Sequence, residues 1–223
     1  MPAASCPQCG ADISFRSTAL PVKVCDFCRS VIVRRGEALE LAGSAATVPD
    51  DVSPLQIGTR GQIDGDAFEL IGRIRWKWAG GGWNEWFMLF AGGSTGWLGD
   101  AMGRFMALRE VAPQEVSGDA IERLIAAQEV MPGMTATIAG VSYAVTDART
   151  VTCVASEGEL PHPAPAGMEM FSVDLGTPTP CCASVQREGE TVFAYAGRYC
   201  SLGDIKPANL RAIEGWTIPD FSA

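Results

Sequence analysis

Basic charge is in short supply. The 223-residue chain sets 17 lysines and arginines against 26 acidic residues, a net charge of -9. That balance argues against general nucleic-acid affinity, which needs basic surface to release counterions, and against a polybasic membrane clamp. Long hydrophobic runs are lacking too. The best uncharged stretch, residues 130–146, is interrupted by Pro132, Gly133 and Gly140 and is too short and polar to span a bilayer. The N-terminal Met1-Pro2-Ala3-Ala4-Ser5-Cys6 has no apolar core, so no secretory leader and a cytoplasmic location are expected. Absent as well are a phosphate loop, a Gly-x-Ser-x-Gly elbow, a His-Glu-x-x-His pair and a Rossmann glycine pattern. The common catalytic designs go with them. Histidine occurs once, at His162 in a proline-rich loop, and reads as an exposed side chain in preference to half of a cysteine–histidine dyad.

Cysteine, by contrast, occurs eight times. Without a secretory leader it points to metal ligands and reduced thiols. Cys6-Pro7-Gln8-Cys9-Gly10 and Cys25-Asp26-Phe27-Cys28-Arg29 form two CxxC pairs with fifteen residues between Cys9 and Cys25. This is the spacing of a four-cysteine zinc ribbon, with short strands expected at Ile13-Ser14-Phe15-Arg16, Val22-Lys23-Val24 and Val31-Ile32-Val33. Four protein ligands close a tetrahedral shell, so Zn²⁺ at Cys6, Cys9, Cys25 and Cys28 would be structural and would supply most of so small a module's folding free energy. The head carries Arg16, Lys23, Arg29, Arg34 and Arg35 against Asp12, Asp26, Glu37 and Glu40. A docking role fits that balance better than a phosphate-binding one. Cys153 and Cys200 sit in strand patterns as small apolar residues, and the adjacent Cys181 and Cys182 cannot readily share one ion.

From residue 57 the pattern is β and partly repeats. Ile63-Asp64-Gly65-Asp66-Ala67-Phe68-Glu69-Leu70 is answered 75 positions on by Ile138-Ala139-Gly140-Val141-Ser142-Tyr143-Ala144-Val145. The ends also look alike: Thr95-Gly96-Trp97-Leu98 and Gly103-Arg104-Phe105 against Thr191-Val192-Phe193-Ala194 and Gly197-Arg198-Tyr199. The predicted class is mainly β, a zinc ribbon followed by two related antiparallel β-modules in tandem, each a small barrel or sandwich. The divisions are 1–40 for the ribbon, 41–55 for a flexible linker that leaves the head mobile, and 56–112 for the first module. A connecting helix or linker over 113–130, capped by Ser117, leads to the second module over 131–206 and a tail over 207–223. In the first module Phe68, Leu70, Ile74, Trp76 and Trp78 alternate with Glu69, Arg73, Arg75 and Lys77, a half-buried strand with a solvated basic face. Trp83-Asn84-Glu85-Trp86-Phe87-Met88-Leu89-Phe90 is apolar on both faces and so central in its sheet.

Five of six tryptophans fall between Trp76 and Trp97. They read as packed interior, or else as an aromatic groove with Trp83 beside the Gly80-Gly81-Gly82 turn. Glu85 reads as a buried partner of Arg73 or Arg75, or as an acid with raised pKa.

Trp83-Asn84-Glu85-Trp86, Gly96-Trp97-Leu98, Gly103-Arg104-Phe105, Ala155-Ser156-Glu157-Gly158-Glu159-Leu160-Pro161, Val173-Asp174-Leu175 and Gly197-Arg198-Tyr199 together resemble an uncharacterised bacterial family, domain of unknown function 4178, over residues 57–206. The resemblance implies a zinc ribbon in front. It also implies operon company with membrane-stress and polyamine-type genes, hence a complex or pathway but no chemistry. The expected function is a non-enzymatic adaptor that docks protein partners, with Trp83, Glu85, Trp86, Trp97 and Arg104 as the binding face. The alternative is a small-ligand sensor or enzyme using Glu85, Asp100 or Arg104 in a pocket. Nucleic-acid binding through the ribbon ranks third.

Overall fold

The computed structural model describes residues 4–49 and 51–221; residues 1–3, 50 and 222–223, parts of the expected ribbon, linker and tail, lie outside this description. The chain is mainly β, 53% strand. β1 (Ala4–Ser5) and β2 (Asp12–Ile13) form a small sheet, followed by β3 (Val22–Val24), β4 (Ser30–Arg35) and β5 (Ala38–Ser44). A first run follows: β6 (Arg60–Ile63), β7 (Asp66–Trp78), β8 (Gly81–Phe90), β9 (Thr95–Ala101) and β10 (Arg104–Glu110). β11 (Val116–Ser117) and helix α1 (Asp119–Ile125) lead to a second run of β12 (Thr135–Ile138), β13 (Val141–Leu160), β14 (Glu169–Gly176), β15 (Cys181–Glu188) and β16 (Thr191–Cys200), and α2 (Leu202–Ile205) closes the series.

Each run is an antiparallel meander, and the two meet at both ends. β10 pairs with β16, from Phe105 opposite Cys200 to Glu110 opposite Tyr195. β7 pairs with β13, from Lys77 opposite Thr152 to Gly72 opposite Gly158. The hydrogen-bonded path therefore closes through eight strands, β7-β8-β9-β10-β16-β15-β14-β13 and back to β7. Both runs belong to one 14-stranded sheet, where the sequence suggested two modules each closed on itself. The likeness at the run ends does not follow the strands. Residues 95–98 lie in β9, whereas residues 191–194 lie in β16.

The β7–β13 seam is tight. A Cβ on Gly72 would stand 2.0 Å from the Glu159 carbonyl oxygen, and one on Gly158 would stand 2.2 Å from that of Ile71. Gly158 also has φ +76°, a region that costs an L side chain strain.

A β-bulge between Leu70 and Gly72 decides which way β7 faces. One extra residue moves the following side chains to the other side of the sheet. Phe68 and Leu70 accordingly pack outward with Trp86, Met88, Phe90 and Leu98, while Ile74 and Trp76 pack inside with Phe87, Trp97, Val151 and Tyr195. The uniform basic face expected for this strand is broken. Lys77 is exposed and Arg75 half-buried, but Arg73 is only 6% exposed. Its guanidinium lies 4.5 Å from the centre of the Trp86 ring, donates to Asn84 Oδ1 at 2.8 and 3.0 Å and pairs with Asp51. Over the second run, Ile121 and Leu124 of α1 pack on Val173, Val185 and Ala194. The helix has Gly118 as its N-cap with no side-chain cap bond; Ser117, the expected cap, is held in β11 against Thr137.

The head is docked onto the sheet. β3 pairs with the end of β13, Lys23 opposite Glu159 and Val22 opposite Leu160. Leu20, Val22, Val24 and Val31 join the same apolar cluster as the inward-facing Ile74, Trp76 and Trp97. Glu159, 1% exposed, accepts the backbone N–H groups of Arg16 at 2.7 Å and Ser17 at 3.1 Å. The segment expected as a flexible linker is fixed at both ends. Ala45 is buried, and Asp51 gathers Arg73, Asn84 and Arg211.

Two substitutions test this arrangement. Asp51→Ala leaves buried Arg73 with only the longer contact to Glu157, at 3.5 Å, as counter-charge and should cost about 3 kcal/mol in urea unfolding. Gly72→Ala should abolish two-state folding or cost several kcal/mol, whereas Gly99→Ala, whose new Cβ meets Met106 at an ordinary 3.5 Å, should unfold close to wild type.

Candidate functional site

The two candidate sites are the four-cysteine cluster and the interior of the strand ring. In the first, Cys6 and Cys25 each begin a tight turn: Gly10 N–H donates to the Cys6 carbonyl at 2.9 Å and Arg29 N–H to the Cys25 carbonyl at 3.0 Å. Both turns leave through positive φ, at Gly10 (+75°) and at Arg29 (+61°). The matched knuckles bring four sulfurs together. Cys6 Sγ and Cys28 Sγ lie 3.7 Å apart, and Cys9 Sγ and Cys25 Sγ 3.8 Å. Metal–sulfur bonds of about 2.3 Å in a tetrahedron require sulfurs about 3.8 Å apart, so the cluster fits a metal ion. The other four cysteines are free and form no comparable cluster among the described residues.

The second site is a cavity of about 260 Å³ inside the ring. Trp78, Trp83 and Trp97 from the first run and Tyr195 and Tyr199 from the second provide its aromatic walls. Glu85, Asp174, Ser184 and Gln186 line the polar part, with Arg104, Asp147 and Arg149 also on its surface. Period-two alternation along β8 sends Trp83, Glu85 and Phe87 inward and Asn84, Trp86 and Met88 outward. Of the residues expected to bind, Trp83, Glu85, Trp97 and Arg104 are thus brought together. Trp86 is not: it is fully buried in the outer cluster, its indole N–H 3.5 Å from Asp100 Oδ2.

Asp100 touches the cavity, but its carboxylate is engaged by the Ser53 hydroxyl. Sequence reading missed Trp78, Arg149, Asp174, Gln186 and Tyr195 as site residues. Asp174 stood only in a family motif, and nothing local in the sequence says that β13 to β16 complete the ring.

Glu85 has no arginine partner; Arg73 lies opposite Trp86 and Arg75 opposite Asn84 across the hairpin. Its carboxylate instead accepts from Trp76 Nε1 at 2.8 Å, Trp83 Nε1 at 3.1 Å and Gln186 Nε2 at 2.9 Å. Burial pushes its pKa up to about 7 against these donors, and the nearby Asp174 adds to the rise. Asp174 is raised to about 6, by burial first and then by Asp147. The Tyr195 phenol is raised by burial and by the Glu85 charge. Arg149 pairs with Asp147 and lies 4.4 Å from the Trp78 ring centre. Arg104, exposed, lies 5.2 Å from that of Tyr199. His162 is not a free loop side chain: its ring stacks on Phe193 at 5.4 Å and approaches Trp97 at 6.2 Å, and burial lowers its pKa.

A larger hollow of about 400 Å³ lies beside Asp51, Arg75, Asn84, Met102 and Trp216. Its polar groups already serve the Asp51–Arg73 cluster, so it is the weaker candidate.

Glu85 gives the interior a pH signature. Its folded pKa lies above the ordinary 4.5, so the folded chain holds this proton more tightly than the unfolded one. That contribution to stability is full below about 4.5 and lost as pH rises through about 7. Thermal melts should show wild-type stability falling across this window relative to Glu85→Gln. Parallel pH profiles for the two proteins would contradict the assignment. Because the ribbon shares the inner apolar cluster, stripping a bound metal with a chelator should lower the melting temperature of the whole chain in one transition. A separate low-temperature transition would instead mark an independent head.

No curated protein and no solved structure matches the chain. The family model described as domain of unknown function (DUF4178) matches residues 56–202, the span that builds the ring and every strand lining its cavity. By that match the chain belongs to the DUF4178 family.

Proposed function

We propose that this protein binds a small ligand inside the strand ring and carries a structural zinc ion in its head. The carrying observation is the cavity itself, where aromatic walls from both runs surround a carboxylate held by three fixed donors. Ligand sites in closed strand systems are typically apolar hollows with a few well-placed polar groups. Zinc suits the head because four thiolates in tetrahedral spacing are a soft, closed donor set with no position left for substrate. Reduced thiols in such a site suit a cytoplasmic setting.

The two runs are read as copies of one unit, each supplying half of the ring. Three coincidences support this. The bulges in β7 and β13 skip Ile71 and Thr146, which are 75 positions apart. At one seam Lys77 faces Thr152, again 75 apart. The pairs Trp86–Leu98 and Val173–Val185 correspond at a spacing of 87, and at the other seam Arg109 faces Ala196 at that same spacing. A residue facing its own counterpart is what a two-fold relation between copies requires. The cavity then lies between the copies, where divergence of one half makes the site asymmetric.

A protein-docking role for the head is a second reading, favoured by Phe27, 78% exposed at the tip of the second knuckle. Phe27→Ser would abolish capture of a partner by the full-length chain and leave ligand binding intact.

The direct test is a thermal-shift screen of a small-molecule library with full-length, metal-loaded protein, followed by titration of hits. Hits should bind wild type and weaken at least tenfold in Gly99→Leu, which fills the cavity from β9 while Gly99→Ala reports on folding. Hits that bind both equally would place the site elsewhere.

A further inference from the structure

The walls of the cavity define the charge of what it takes. We propose that the ligand is an organic cation, an amine whose ammonium group sits against Glu85 and Asp174 and whose apolar body packs on Trp83, Trp97 and Tyr195. This rests on the reading of the cavity as a ligand site and adds to it the chemical class.

The first observation is an imbalance of charge inside. Three acidic residues present to the cavity, Glu85, Asp147 and Asp174, against two arginines, Arg104 and Arg149; Asp100 also borders it, with its carboxylate on the other side of the strand. Asp147 is answered by Arg149, and Asp100 is turned to Ser53 and Trp86. Among the described ion pairs none includes Glu85 or Asp174. Arg149 offers Asp174 a longer-range attraction that burial and Asp147 outweigh. Arg149 is answered by Asp147 and lies over Trp78, while Arg104 is exposed and lies over Tyr199.

The second observation is the wall chemistry. Indole and phenol faces attract a cation through the ring quadrupole, more strongly once water is excluded. The same rings give an apolar body its contact area. Glu85 is already held in place by Trp76, Trp83 and Gln186, so a cation meets a carboxylate that needs no reordering.

Energetics point the same way. Glu85 feels the charge of Asp174, and neighbouring buried acids cannot both ionise cheaply; burial raises their pKa values to about 7 and about 6. An entering ammonium group offsets the burial of both charges and the repulsion that Asp174 exerts on Glu85. A carboxylate or phosphate ligand would add a third negative charge to the same space. A neutral ligand would leave the two acids as they are.

The test is calorimetric titration of the full-length, metal-loaded chain with three probes of one shape and different charge: phenethylamine, 2-phenylethanol and phenylacetate. Phenethylamine should bind at least tenfold more tightly than either of the others. Glu85→Gln and Asp174→Asn should each remove most of that preference. The wild-type charge series alone decides the matter if a variant fails to fold. Equal binding of the three probes, tighter binding of phenylacetate, or no binding of phenethylamine would overturn the inference. The cavity reading has its own readout. Weakening of neutral or anionic library hits in Gly99→Leu would keep the cavity as a ligand site while the cation is abandoned, and indifference of all hits to that variant would end both.

Discussion

The structure depends on the closure of two strand meanders into one ring, and that closure depends on a close backbone approach at the seam between β7 and β13. Gly72 faces Gly158 there, and each lies where a side chain would strike a carbonyl of the opposing strand. Without this approach the inward faces of the two runs would have nothing to enclose. Trp76, Phe87 and Trp97 of one run share a cluster with Val151, Met170 and Tyr195 of the other, and the buried carboxylate of Glu85 takes one of its three donors, Gln186, from the opposite run. The bulge beside Leu70 is the companion device, because it lets one long strand present Phe68 and Leu70 to the outer cluster and Ile74 and Trp76 to the inner one.

Much of this was legible in the sequence, and the failures have identifiable causes. The cysteine spacing located the cluster residue by residue, since two tight knuckles constrain the backbone locally. The hairpin likeness around Gly65 and Gly140 falls on equivalent turns of the two runs. The later likeness misled because β9 and β16 carry similar glycine–aromatic patterns at different places in the order. In β8, apolar residues on both faces hid which tryptophans point inward; alternation from Glu85 would have separated Trp83 from Trp86. The bulge could not be read at all, since a single extra residue leaves no compositional mark. The seams are long-range pairings, and so the second run's contribution of Asp174, Gln186 and Tyr195 had no local signal. The 41–55 stretch looked like a tether because its ties, from Ala45, Asp51, Ser53 and Leu55, run to partners distant in sequence and leave no periodic pattern.

Two different solutions to buried charge coexist within a few strands of each other. On the outer side, Arg73 and Asp51 satisfy one another and are pinned by Asn84 and Arg211, an arrangement that serves the fold. On the inner side, Glu85 and Asp174 are left to indole, amide and hydroxyl donors, and burial raises both pKa values. A fold has no need to hold acids in this costly state. The contrast favours the inner side over the outer one in the proposed ligand-binding reading.

The central claim is that head and both runs form a single closed body around the cavity. Amide hydrogen exchange on the full-length, metal-loaded chain tests it most directly. The account predicts that seam amides at residues 72–77 and 152–158 exchange as slowly as those in the middle of β8 and β15, because they open only when the whole chain unfolds. Seam amides exchanging orders of magnitude faster, while the centre of each meander stays protected, would show two separate units and contradict the ring.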